Sequence, residues 1–490
     1  MTQPSADLTQ LDGSLGILPP SVGFTQAIIG PSTTGPTGVV AAFGRAKDIR
    51  ANYGEGPLVE DACYQIAKTG KPVVVVRSGT TTAGDYGAVS VTGVQGNSAI
   101  STDATGAPYD EYEAYVQVKH GGAIGGTGAN AITFQWSLDQ GRTLSGITKL
   151  GTANHFTTTD GNVRFDFGRG TLVAGDYFFA RTTPPKEDQD DFNAAMAALG
   201  SSNMHWDFAN FATPMSAAQV AAVDTWIAAL WTAGKHKAAM VNARGPNFLE
   251  SEADYYTALE TEYASTTSLY VSVSAGYAKT QSAVSGRQYR RPVSWVAAAR
   301  ATAPVIRDAA VSLAQVSLGP LPADVSIRDS NGNPDEHDET ENPGLDDLGF
   351  LTLRTFSLRK GVYINLPRIM APTGSDFIYW HYRIVMNKAA DALLPYLEER
   401  LQAPIRVDKE TGFILEADAL DIESGANAVL SNALLTFPSA SDANFVVDRN
   451  YNILSTQTMP GDARIIPLAY PVKIPVTIGF DNPAARIITV

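Results

Sequence analysis

GFTQAIIG at residues 23–30, PLVEDACYQIAKT at 57–69 and KPVVVVRSG at 71–79 read in turn as a strand, a helix and a second strand. PSTTGPTG after the first strand is a turn-rich loop. In the helical stretch Leu58, Ala62, Ile66 and Ala67 share one face, Glu60 and Asp61 occupy the first turn where the helix dipole favours negative charge, and Gly70 follows the end. Val73 to Val76 is apolar without interruption, as in a strand covered on both faces. This order predicts an α/β unit.

Downstream the period changes. Between residues 87 and 185, YEAYVQVKH, AITFQWSLDQG, NVRFDFGRG and GDYFFARTT are short alternating runs separated by Gly, Asn and Asp, which predicts an all-β sandwich or small barrel. The α/β pattern then resumes with a helix over 188–199, the strand HWDFANFA and a helix capped by Ser216. AAMVNA is a strand, 251–263 a helix, SLYVSVSAG a strand, and 295–318 helical in pieces around Pro304. Residues 23–86 and 186–342 therefore read as one α/β domain that carries 87–185 as an all-β insertion. The acidic DSNGNPDEHDETENPGLDD is expected as an exposed loop or linker.

Residues 343–465 read as a second, α+β domain. GFLTLRTFSL and GVYINLPRIM are strands, followed by a helix from Ser375 or Asp376 whose face carries Phe377, Trp380, Ile384, Val385, Ala389, Leu393 and Leu394. Pro395 is expected to kink or break it. A helix over 424–434 and the strand NFVVDRN complete the domain.

The last regular stretch is IPLAYPVKIPVTIGF, residues 466–480. Leu468, Tyr470, Val472, Ile474, Val476, Ile478 and Phe480 alternate with smaller or polar residues, the period of a strand with one buried face. Pro467, Pro471 and Pro475 share the odd parity, so every missing N–H falls on one edge and the even edge stays intact. At ~3.3 Å per residue the ribbon spans roughly 50 Å, beyond the usual strand length. Two readings stand: an edge strand closing its own domain, or a strand donated to a neighbour. At the other end, residues 1–22 are polar, with Leu8, Leu11, Leu15, Ile17 and Leu18 as scattered anchors, and would be disordered alone.

Composition narrows the function classes. The 490 residues carry 18% charged side chains, below the ~25% average, and abundant Gly and Pro, which suits a tightly turned, heavily contacted protein. The net charge of -14 without a basic run argues against binding nucleic acid or an anionic membrane. One cysteine, Cys63, excludes an internal disulfide. The opening MTQPSADLTQLDGSLG lacks the features of a signal peptide and no apolar run approaches a membrane span, so a soluble protein made inside a cell is expected. Six scattered histidines offer no zinc spacing. GTGANA at 126–131 lies in the β region and reads as a hairpin loop rather than a dinucleotide fingerprint. Asp329, Asn331 and Asn333 imitate a calcium loop, but Pro334 and Thr340 stand where it needs Gly and Glu. No enzyme motif and no cofactor site is expected. The β-rich insertion, with Tyr109, Tyr115 and Trp136, leaves a carbohydrate-binding or degrading virion-attached or secreted protein as the alternative.

One charge contrast remains. Asp335, Glu336, Asp338, Glu339, Glu341, Asp346 and Asp347 precede Arg354, Arg359, Lys360, Arg368, Arg383 and Lys388. They are either solvated faces or complementary patches between repeated copies.

Two stretches resemble tail sheath proteins of contractile phage tails and related injection systems. AIIGPSTTGPTGVVAAFGRAKDIRANYGEGPLVEDACYQIAKTGKPVVVVRSG, residues 27–79, resembles that family's opening. GFLTLRTFSLRKGVYINLPRIMAPTGSDFIYWHYRIVMNKA, residues 349–389, resembles its most recognisable domain. The resemblance implies stacked hexameric rings around a tail tube in a virion tail assembled in the host cytoplasm. Extended N- and C-terminal arms, 1–22 and 466–490, would donate strands to neighbours through Leu11, Leu15 and Ile17 and through Leu468 to Phe480. The domain 343–465 would lie innermost, its six cations meeting the tube or neighbouring subunits, and baseplate and tail terminator proteins are implied as further partners.

Overall fold

A six-stranded sheet organises the chain, in the order Val271–Ser274, Ala238–Asn242, Phe208–Phe211, Gln26–Gly30, Val73–Arg77, Val40–Phe43. Neighbours are parallel except the last pair. The computed structural model describes residues 24–92, 96–97, 100–102, 106–306, 308–329, 334–341 and 344–480. The expected N-terminal arm, with Leu11, Leu15 and Ile17, lies outside them.

Period-2 alternation assigns the sheet residues to two layers. Ile28, Val73 and Val75 turn to α1 (Ala46–Tyr53), α2 (Pro57–Thr69) and Trp295. Ala27, Ile29, Val74 and Val76 turn to α3 (Gln189–Ser201), α4 (Ala217–Thr232) and α5 (Glu252–Tyr263). Both faces are covered, which is why these strands read as unbroken apolar runs. Ser216 caps α4 as its sequence predicts, accepting from Gln219 N while the Gln219 side chain accepts from Ser216 N.

Between Val73–Arg77 and α3 the described residues form strands and one 3-10 turn, Gly128–Asn130, within the Gly-rich loop. The main sheet here runs Thr148–Lys149, Thr133–Ser137, Glu113–His120, Tyr177–Thr183, Asp85–Tyr86 over its own core of Val116, Phe134, Trp136, Phe165 and Phe178.

The C-terminal third shares a core with the parallel sheet. Phe208 and Met240 pack with α6 (Val293–Thr302), α7 (Trp380–Glu398), α8 (Glu416–Leu434) and Phe445, and the Phe208 and Trp380 rings meet edge to face at 5.4 Å. α7 begins later than its apolar face suggests, because the chain before it is committed elsewhere. Ile369 N donates to Ile378 O and Trp380 N to Pro367 O, which holds that segment extended. The helix also continues past Pro395 to Glu398 instead of breaking, since a proline this near the end costs only one backbone bond. α8 starts at Glu416, well before residue 424. Gly425 looks like a helix breaker, but a Cβ there would strike the Tyr396 hydroxyl, so the glycine lets α7 and α8 approach.

The acidic segment departs from the exposed loop or linker that its sequence predicts. Glu336, His337, Asp338 and Glu339 are buried, and the segment packs on the hairpin Tyr277–Gln281 and Gln288–Pro292, which sequence reading missed. Lys279 (1% exposed) pairs with Glu113 at 3.1 Å and with Asp335. Arg290 holds Glu336 at 2.5 Å and Glu111 at 2.6 Å. Arg291 holds Asp110 at 2.9 Å and Glu60 at 3.5 Å. Burial pushes Asp110 and Glu336 up to about 7, against the pull of their arginines. The signal that sequence reading passed over was two adjacent cations on a short strand, Arg290 and Arg291, with Lys279 opposite Arg290.

Arg290→Ala leaves Glu336 and Glu111 without their cation, and chemical denaturation is expected to show a loss of about 3–5 kcal/mol. A second expectation concerns His337. Burial opposes its charge, yet hydrogen bonds to Glu252 (3.2 Å) and Glu339 (2.9 Å) outweigh it and hold the ring up at about 9. Unfolded, the ring titrates near ~6.5, so its stabilisation is complete below that pH and is lost as pH rises through about 9. The stability gap between the natural chain and His337→Gln should therefore close across that window in denaturation curves.

Candidate assembly surface

A two-stranded hairpin, Ala440–Val447 with Gly461–Pro467, ends the described fold. Ala440, Ala443, Phe445 and Val447 of the inner strand are buried against α8. The side of that strand away from its partner is occupied by α8 side chains. Asn427 Oδ1 accepts from Phe445 N at 2.6 Å, Asn427 Nδ2 donates to Phe445 O at 3.3 Å, and Glu423 Oε1 accepts from Val447 N at 2.7 Å. Arg449 in turn holds Glu423, with Nη2 to Oε2 at 2.9 Å.

This clamp fixes the parity of the other strand. A residue's N–H and C=O point to the same side of an antiparallel strand, so Phe445 and Val447 face α8 and bond nothing across the hairpin. Their partners Ala463 and Gly461 therefore turn their backbone groups outward, as does Ile465. The result is an exposed sheet edge with backbone donors and acceptors unclaimed among the described residues.

The sequence pattern places a strand over residues 466–480, but the structure ends it at Pro467. Residues 468–480 lie outside any helix or sheet, because no strand of the described chain lies beside them to pair with. Leu468 packs against the core, and Tyr470 sits half-buried with its ring 5.0 Å from that of His381. His381 stacks in parallel on Tyr379, and burial draws it down to about 4, so a neutral ring faces Tyr470. Beyond this seat Val472, Ile474, Val476, Ile478 and Phe480 are 62%, 73%, 72%, 91% and 111% exposed, an apolar stripe with no cover.

The six cations do not act together. Arg359 and Lys360 are exposed at the turn of the hairpin Leu353–Phe356 and Arg359–Ile364, next to the exposed Leu358. Arg354 lies over the Phe356 ring and Arg368 over Tyr379. Lys388 donates to Ser439 at 2.8 Å. Arg383 is buried in a box of Trp231, Phe377 and Tyr270 and donates to Asn387 at 2.9 Å, not exposed for a contact in the single chain. Burial draws its guanidinium down to about 10. The periodicity showed Arg383 beside an apolar face, but not that aromatic rings would enclose it.

Among the described residues no group of three or more His, Cys, Asp or Glu could hold a metal ion. No described helix is long and apolar enough to cross a membrane. Residues 3–365 match the family described as DUF2586, N-terminal domain. The chain belongs to the DUF2586 family. No curated protein matches the sequence. The DUF2586 chain aligns with a chain of the contracted sheath complex of the extracellular contractile injection system PVC. That alignment has 10% identity over 98% of each chain and a TM-score of 0.53. It aligns with a chain of the anti-feeding prophage baseplate at 11% identity, over 98% of this chain and 100% of that one, with a TM-score of 0.51. A sheath tail protein from Listeria innocua aligns at 15% identity over 91% and 96%, with a TM-score of 0.42. The near-complete coverage in the first two places this DUF2586 chain in the fold of contractile-system proteins.

Asn427→Ala removes both bonds to Phe445 and is expected to cost about 1–3 kcal/mol. Amide exchange should speed up across 440–447 while the parallel sheet stays protected.

Proposed function

We propose that this protein is a structural subunit of a contractile tail sheath and has no catalytic activity. The observation that carries the reading is the pairing of an exposed apolar ribbon with an unclaimed sheet edge on one molecule. The likeness in fold to a contractile sheath complex supports it. Copies stack as hexameric rings around a tail tube in the virion tail, with the ribbon of one copy adding a strand to the terminal hairpin of another. Contacts that pass head to tail without closing build a helical array. Covering the five apolar ribbon residues contributes about 1.5–3 kcal/mol each before ordering costs.

In this assembly the arms are 1–22 and 466–490. Residues 343–465 lie innermost, the α/β domain of 23–86 and 186–342 in the middle and the all-β insertion 87–185 outermost. Arg359 and Lys360 meet an acidic face of the tube, where exposed charges set register and encounter rate more than affinity. Baseplate and tail terminator proteins meet the ends of the array, and no cofactor or nucleic acid takes part. Contraction is a rigid-body rotation of copies between two packings, with the exchanged strands keeping them linked as the tube is driven through the host envelope. Glycan binding by the insertion loses its main aromatic, because Trp136 is 5% exposed in the core.

Electron microscopy of the purified chain is expected to show rings or tubes, and deletion of 468–490 to leave a folded monomer whose melting temperature falls only by the loss of the Leu468 and Tyr470 contacts. A deletion product that unfolds, or one that still assembles, would sink the reading.

A further inference from the structure

We infer that the donated ribbon pairs through its even-numbered edge alone, and so takes the outermost place in the recipient sheet of a second copy and closes that sheet. The inference rests on the strand donation proposed above and adds to it a side and a stopping point.

The backbone N–H and C=O groups of Val472, Ile474, Val476, Ile478 and Phe480 would point to one edge of the ribbon, and all five residues keep their donor. The opposite edge carries Pro471 and Pro475, which lack donors and project a ring four residues apart, about 13 Å at ~3.3 Å per residue. A strand approaching from that side loses alternate hydrogen bonds and meets both rings. The same prolines bias Tyr470 and Ile474 towards extended backbone, which lowers the entropy cost of ordering the ribbon.

The occupant of the even edge is a second copy, on two grounds. The ribbon has no partner strand among the described residues of its own chain, and every copy displays the outward backbone groups of Gly461, Ala463 and Ile465. Once that edge is filled, only the proline side remains and no third strand can follow. The sheet edge that makes the joint therefore does not recruit further chains, the hazard of any exposed strand.

Matched proline substitutions in the full-length chain test this. Val472→Pro and Ile478→Pro remove even-edge donors, whereas Lys473→Pro and Thr477→Pro fall on the edge that already carries proline. Val472→Ala, which keeps its N–H, separates donor loss from side-chain loss. Melting temperatures should match across the set, because residues 472–478 make no sheet contact in the single chain. Sedimentation and microscopy should show the even-edge variants needing roughly tenfold or more protein to assemble, with Lys473→Pro and Thr477→Pro assembling like the natural chain. Equal loss on both edges, or loss on neither while deletion of 468–490 abolishes assembly, would overturn one-sided pairing and leave donation intact. Assembly of the deletion itself would remove the donation on which the inference stands.

Discussion

Three desolvated cations on one hairpin hold the body of the molecule together. Lys279, Arg290 and Arg291 gather carboxylates from α2, from the β-rich insertion and from the acidic segment. Removing these charges from water costs several kcal/mol per ion, which only close, multiply bonded geometry offsets. Arg290 meets that condition by also donating to the Pro246 carbonyl at 2.5 Å and lying 4.1 Å over the Tyr277 ring. Apolar packing alone would let the insertion settle in many orientations, whereas paired buried charges accept very few.

The body is sealed and the C-terminal end is not. Both faces of the parallel sheet are covered, and the core runs without a break from Phe208 through Trp380 to Leu430 and Phe445. At the terminal hairpin the inner strand is claimed by Asn427 and Glu423, while the outer strand faces solvent. Polar side chains from α8 thus block one side of the hairpin and leave the other unclaimed among the described residues. The same molecule carries an apolar ribbon that no other described residue covers from Val472 to Phe480.

Much of this was legible in the sequence where one physical cause dominates locally. Uninterrupted valines and the Ser216 cap each depend on the residue and its near neighbours, and each reads correctly. Misreadings arose where a distant partner decides the outcome. The acidic segment looks solvated until Arg290 and Lys279, some fifty residues upstream, are brought against it. Arg383 resembles a surface cation until three rings close round it. The ribbon is the reverse case, since its alternation is plain in the sequence and no strand among the described residues pairs with it.

The seat of Tyr470 against His381 fixes where the free segment begins. In the proposed joint, Pro471 alone stands between the seat of Tyr470 and the pairing that opens at Val472, two Cα steps or about 7 Å of chain. A link that short cannot stretch. In the proposed assembly, copies joined through it could not draw apart, and the ring of Pro471, which fixes its own φ, would make the tether stiff as well as short.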